Sequence, residues 1–331
     1  MKKVAILIIS VFYLLSCSEK ESNKINLRLK WVKQAQFAGY LVAESKGFYK
    51  DAGLDVTILP AGPDIKSFMT VANGSDQIGI AMPNQIISAR SNGVPLTIIG
   101  QIMQDSPYRY VIKSENNIKN LTDLKGKSVG LWLKNDEAEF IAMLKSAGMS
   151  LNDVKIVPQE FTIVPFLENK YEVSQVTVFN ELNQIRDKGY TEDKLQILSP
   201  KDYNSAFIGD MIFANQDFID KNPELIKKFL SASLKGWKYA LAHKEETIKI
   251  LLKANKDLDK IQQMDQLLAV EGLINSGKNL SEGFGYMDEA TYSNIQKILK
   301  ETGQIQNEVD IKKIYTDRFW KELNSEEKQL K

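Results

Sequence analysis

The side chains best suited to holding a small molecule are four aromatics and a few acids and amides that follow runs of strand-forming residues. Trp31, Phe37 and Tyr40 come after a first such run, and Trp132 ends another that begins at Ser128. An aromatic there can stack on a flat heterocycle, contributing about 0.5–1.5 kcal/mol beyond area burial. The same ring packed in a core would look no different in sequence. Gln36, Asp64 and Asn84 follow the first, second and third runs in the same way. Asn180-Glu181 closes the apolar stretch Val176-Thr177-Val178-Phe179, where a carboxylate can accept from ring N–H or amino groups and the amide can both give and accept. Glu181 also suits the first turn of a helix, where the dipole favours an acid. So does Glu137, with Asp136 and Glu139 beside it.

What is missing narrows the chemistry. His243 is the single histidine and Cys17 the single cysteine. No Ser-His-Asp arrangement can form around the aromatics, and a metal centre of the usual His/Cys type lacks its ligands. The expectation is a binding site with no catalytic residue, no metal and no cofactor.

The elements that would position these residues alternate. Strands are expected at residues 25–32, 54–59, 77–81 and 96–103, separated by helices at 38–49, 65–73 and 84–91. The pattern restarts with strands at 128–132, 154–158, 173–179 and 195–198 and helices at 136–147 and 182–187. Such alternation predicts α/β lobes with largely parallel sheets, and ligands sit at the carboxyl ends of such strands. From Asn222-Pro223-Glu224, a cap followed by proline at the first helical position, the chain is expected to be mostly helical. Gly39, Gly47 and Gly53 read as close-packing and helix-stopping residues, and the charged stretch 324–331 as a frayed end. Neither repeats nor low-complexity stretches are visible.

The N-terminus has its own logic. Met1-Lys2-Lys3 precedes an apolar run over residues 4–15. That run is too short to span a bilayer, which takes about 20 residues, and it suits a secretory signal. It ends in Leu14-Leu15-Ser16-Cys17 and turns polar at once, which resembles a bacterial lipobox with cleavage before a lipidated Cys17. A lone thiol in an oxidising compartment would be a liability unless capped. Loss of Lys2 and Lys3 from 43 basic residues leaves 41 against 42 acidic ones. That balance gives no reason to expect nucleic acid as a partner.

The segments Gln36-Phe37-Ala38-Gly39-Tyr40, Gly47-Phe48-Tyr49 and Gly53-Leu54-Asp55-Val56-Thr57-Ile58 resemble the opening of the SsuA/THI5-like (NMT1-type) substrate-binding family. Asp123-Leu124-Lys125-Gly126-Lys127, Val178-Phe179-Asn180-Glu181, Asp210-Met211-Ile212-Phe213-Ala214 and Gly236-Trp237-Lys238-Tyr239-Ala240 extend the resemblance along the chain. It implies a type II periplasmic-binding fold, two α/β lobes joined by two crossing segments with a helical C-terminal part. On that reading residues 1–16 are signal and 17–24 tether. Residues 25–104 plus 208–331 form lobe one, 105–203 lobe two, and 204–207 lie in the second crossing. It also implies an extracytoplasmic, membrane-anchored monomer that serves an ABC permease and ATPase complex and touches the membrane through its lipid only.

One branch of the family resembles a thiamine-pyrimidine synthase, whose chemistry needs a cleft histidine and, in the fungal form, a cysteine-rich motif. Neither is present in this sequence. The candidate ligands are a thiamine pyrimidine precursor, riboflavin, a sulfonate or nitrate. Only Lys33 and Lys134 fall in the expected cleft segments, so the aromatics and acids favour an uncharged or weakly basic heterocycle. Cys17→Ser should abolish labelled-palmitate incorporation and release the protein or leave an unprocessed precursor; unchanged membrane fractionation and labelling would disprove the anchor.

Overall fold

The computed structural model describes residues 23–133 and 136–330; the expected signal segment with Cys17, and Lys134, lie outside the described residues. Ten strands form: β1 (Lys24–Arg28), β2 (Asp55–Leu59), β3 (Ile78–Ala81), β4 (Leu96–Gln101), β5 (Tyr108–Lys113), β6 (Ser128–Leu131), β7 (Lys155–Pro158), β8 (Val173–Thr177), β9 (Leu195–Leu198) and β10 (Met211–Asn215). They make two five-stranded sheets with the orders β2-β1-β3-β10-β4 and β7-β6-β8-β5-β9. The two orders correspond position for position, although no repeat is visible in sequence.

Both sheets are mixed rather than largely parallel. β1 pairs in parallel with β2 and β3, and β6 with β7 and β8. β10 runs antiparallel to β3 and β4, and β5 antiparallel to β8 and β9. These two are the first strands after the chain changes sheets, over residues 102–107 and again over residues 199–210. A strand reached by a crossing has no helix before it, so the alternating pattern that betrays the others gives no sign of it.

Side-chain alternation sets the second lobe's two faces. Tyr110 and Ile112 of β5 join a cluster with Leu124, Val129 and Phe140, while Val111 turns to Phe166, Val176 and Ile185. In the first lobe one large core takes in the sheet and the C-terminal helices. The expected helix over 38–49 is broken in two, Ala38–Ser45 and Phe48–Asp51, because Gly47 adopts a left-handed φ of 77°. Helix Ala38–Ser45 lies against Pro223–Ala242 at glycine contacts. A Cβ on Gly39 would stand 2.1 Å from the Trp237 ring, and one on Gly236 2.2 Å from the Gly39 carbonyl. The C-terminal stretch is docked, not frayed. Asn324 and Glu327 form a capping box on Ser325–Lys328, the Phe284 N–H donates to Lys328 O at 2.7 Å, and Glu327 accepts from Ser231.

The crossings are held by one buried carboxyl group. Glu139, on helix Ala138–Ser146, accepts from the Ser106 hydroxyl at 3.1 Å and from the Phe207 N–H, one from each crossing. Gln101 supports the same junction, donating to Met103 O at 2.7 Å and Gly209 O at 3.0 Å. Burial pushes the Glu139 carboxyl up to about 8, with Asp105 adding to the rise and Arg109 and the two hydrogen bonds opposing it. The folded state therefore holds a proton that the unfolded chain releases near 4.5. This contribution to stability is complete below about 4.5 and is lost as pH rises through about 8, with a slope approaching about 1.4 kcal/mol per pH unit inside the window. Glu139→Gln keeps an acceptor and a donor but cannot ionise. Its melting temperature should fall less between pH 5 and 8 than that of the native chain, and parallel curves would refute the assignment.

Candidate ligand-binding cleft

The cleft between the lobes has a cavity volume of about 160 Å³ and opens to solvent. Its walls come from chain that follows parallel strands, with the start of β5 added. Lobe one supplies Lys30, Trp31, Gln34 and Gln36 after β1, Ile65 and Lys66 after β2, and Gln85 after β3. Lobe two supplies Trp132 and Asp136 after β6, Phe161 after β7, Asn180 and Glu181 after β8, and Tyr108. That is where open α/β sheets place their ligands, since loops and helix starts converge there.

Aromatic rings cross the cleft. Trp31 of lobe one lies 4.7 Å from Phe161 of lobe two, tilted by 43°. Phe161 is 6.2 Å from Trp132 and within 13° of parallel to it, and Trp132 is 6.0 Å from Tyr108. The Trp132 indole N–H donates to Glu160 O at 3.4 Å, tying that ring to the loop that carries Phe161. Phe161 is 53% exposed, unusual for a phenylalanine unless a surface is meant to be covered. Sequence reasoning passed it over because no candidate was sought after β7; the signal available was a lone aromatic in the polar stretch Gln159-Glu160-Phe161.

The polar floor is a connected network. Lys30 Nζ meets Asp210 Oδ1 at 2.8 Å, and Gln36 Nε2 donates to Asp210 Oδ2 at 2.7 Å. Gln36 also accepts from Gln34 Nε2 at 2.9 Å, and its backbone N–H donates to Gln266 at 3.2 Å. Asp210 belongs to the second crossing, so this floor is fastened to the junction between the lobes. Glu181 is buried and already engaged, accepting from Thr177 N at 3.0 Å, Thr177 Oγ1 at 2.6 Å and Asn180 Nδ2 at 2.6 Å. It caps its own turn and fixes Asn180.

Asp136 differs from Glu181. Its Oδ1 is closed off from solvent and accepts no hydrogen bond among the described residues. Burial raises its pKa, opposed by Lys30 and by a hydrogen bond from Tyr108, and Lys66 also acts on its charge. Gln175, buried on β8, donates to Asp136 O at 2.8 Å and accepts from Trp132 N–H at 2.9 Å. The described residues contain no cluster of His, Cys, Asp or Glu able to hold a metal, and no described helix is long and apolar enough to cross a membrane.

Of the residues singled out in sequence, Trp31, Gln36, Trp132, Asn180 and Glu181 line this cleft together. Phe37 and Tyr40 do not line it: a 3-10 turn over Ala35–Phe37 leads into the next helix, and both rings face the core, Tyr40 edge-on to Trp237 at 5.7 Å. Asp64 is exposed on the turn outside it. Asn84 is fully buried in helix Pro83–Ser91, and its neighbour Gln85 lines the cleft instead. Glu137 turns towards Gln304, whose Nε2 lies 3.3 Å away, while Asp136 faces inward. Adjacent residues on a helical turn point about 100° apart, so a one-residue offset changes which side chain enters a site. Lys33 does not line the cleft; among the described residues the lining cations are Lys30 and Lys66. His243 is exposed, against Tyr239 at 4.2 Å.

Comparison with known proteins agrees with this architecture. The chain is 26% identical over 306 residues to the riboflavin-binding protein RibY of Chloroflexus aurantiacus, covering 90% of this chain and 86% of that one. It is 21% identical over 307 residues to the formylaminopyrimidine-binding protein of Halalkalibacterium halodurans, covering 88% and 91%. The periplasmic aliphatic sulphonate binding protein SsuA from Escherichia coli superposes with a TM-score of 0.69 at 16% identity, over 90% of this chain and 99% of that one, which shows a shared periplasmic-binding fold. A family model described as NMT1/THI5 like matches residues 34–247, and with the two-lobed fold around the cleft this establishes that the chain belongs to the NMT1/THI5-like family.

Proposed function

We propose that the protein is the extracytoplasmic solute-binding component of an ABC importer, closing its two lobes on a flat aromatic heterocycle and presenting it to a permease and ATPase complex. The observation that carries this reading is the aromatic pair across the cleft: Trp31 from one lobe lies against Phe161 from the other, with Trp132 parallel behind it. A planar ring held there touches both lobes at once. It binds the closed arrangement better than an open one, and that difference drives closure. Relatives named for binding riboflavin and formylaminopyrimidine support a nitrogen heterocycle. The lipid anchor proposed at Cys17 would keep the protein at the membrane surface.

Sulfonate or nitrate is the second reading, favoured by Lys30 and Lys66 in the cleft wall. Asp136 and Glu181 line the same space and Asp210 holds Lys30 from behind it, so an anion would meet two carboxylates and compete with a third for that lysine. A synthase reading finds no histidine in the cleft wall. Calorimetric titration with riboflavin, 4-amino-5-hydroxymethyl-2-methylpyrimidine, taurine and nitrate separates these possibilities. One of the two heterocycles should bind, and Trp31→Ala should weaken it by roughly ten- to a hundredfold through lost stacking and buried area. Binding of taurine or nitrate alone would overturn the ligand class. Formation of a hydroxymethylpyrimidine on incubation with pyridoxal phosphate, iron and oxygen, with loss of His243, would overturn the binder.

A further inference from the structure

Building on the binding function proposed above, we infer that Asp136, with Lys30 and Lys66 facing it from the other lobe, reads a cyclic-imide edge on the ligand: the carboxylate accepts the ring N–H, and the two ammonium groups donate to the carbonyls beside it. Among the described residues, Asp136 Oδ1 is the cleft-lining carboxylate oxygen left without a donor. Glu181 takes three hydrogen bonds from Thr177 and Asn180, and Asp210 is held by Lys30 and Gln36. Asp136 Oδ1 has none among the described residues, yet it is sealed from water. An acceptor in that condition is costly to leave unmade, so a ligand that brings an N–H gains the whole bond.

The aim of that carboxylate is fixed relative to the stacking ring. Gln175 holds the backbone N–H of Trp132 with its carbonyl and the backbone carbonyl of Asp136 with its amide. One buried side chain therefore ties the ring platform to the segment bearing the acceptor, and a heterocycle lying on Trp132 presents its edge to Asp136. Across the cleft, Lys30 and Lys66 both line the wall and both act on the Asp136 charge.

The polar pattern offered to the ligand edge is thus one acceptor with two cationic donors. An imide carries the complement, one N–H between two carbonyls. A sulfonate, by contrast, would set an anion against Asp136.

The test is a double-perturbation titration on the full-length protein, followed by riboflavin fluorescence, with riboflavin and N3-methylriboflavin as probes and the native chain, Asp136→Asn and Asp136→Ala as hosts. Methylation replaces the imide N–H with N–CH3, so it perturbs the ligand edge without touching the fold, and Asp136→Asn, close to Asp136 in size, separates the lost donor from the added bulk. Methylation should weaken binding to the native chain by about tenfold or more and to Asp136→Ala by less than about threefold; Asp136→Asn, which keeps an acceptor, should fall between. An equal loss on native chain and Asp136→Ala, or no loss on either, overturns the assignment. If 4-amino-5-hydroxymethyl-2-methylpyrimidine binds and riboflavin does not, the imide edge is wrong while the heterocycle reading survives. If neither heterocycle binds, both fall.

Discussion

Glu139 is the group on which the arrangement of the two lobes depends. Each sheet has four strands whose side chains and connections can be formed within its own lobe, and one, β5 or β10, delivered by a crossing. The crossings therefore set where each inserted strand pairs, and a register slip of one residue would turn its core face to the outside. A carboxyl group that accepts from Ser106 in one crossing and Phe207 in the other fixes their spacing. Burial in this position raises its pKa to about 8, so Glu139 itself favours the uncharged form at neutral pH, which suits a hinge that also buries Phe207 and Met103.

The second crossing ends at Asp210, and there the hinge becomes part of the ligand cleft. Asp210 anchors Lys30 and Gln36, both cleft residues, and Gln36 in turn reaches Gln266 on the C-terminal helix Lys260–Ile274. Rotation of the lobes about the crossings and rearrangement of the cleft floor are therefore coupled through one short segment. A ligand drawing on Lys30 alters the partner of Asp210.

Much of this was legible in sequence, and the failures have identifiable physical causes. The strand-end rule located segments that line the cleft, since strands and their following loops are set by local pattern. Within a segment, helical phase decides which side chain points inward, and that phase depends on tertiary packing. Hence Gln85 and Asp136 line the cleft where Asn84 and Glu137 were expected. Phe37 and Tyr40 lie three residues apart, one helical face, and that face is drawn into the core beside Trp237. Lys30 and Lys66 were missed because each lies just outside the stretch counted as strand-following. The C-terminal box Asn324-Ser325-Glu326-Glu327 was a readable helix start, outweighed by the general tendency of charged ends to fray.

The residues that carry the family resemblance are mainly those that build the first lobe rather than those that meet the ligand. Gly39 and Gly236 let two helices approach to backbone contact, Trp237 fills the space over Gly39, and Phe37 and Tyr40 pack beside it. Of the residues lining the cleft, Trp31, Lys66, Trp132, Asp136 and Phe161 all fall outside those segments; Gln36, Asn180 and Glu181 fall inside and are held in internal hydrogen bonds. A fold specified by one set of residues and a ligand edge read by another can change specificity without changing architecture. Under that division a chain can share its fold with a sulphonate-binding protein at 16% identity while lining its own cleft with Asp136 and Glu181 as well as Lys30 and Lys66.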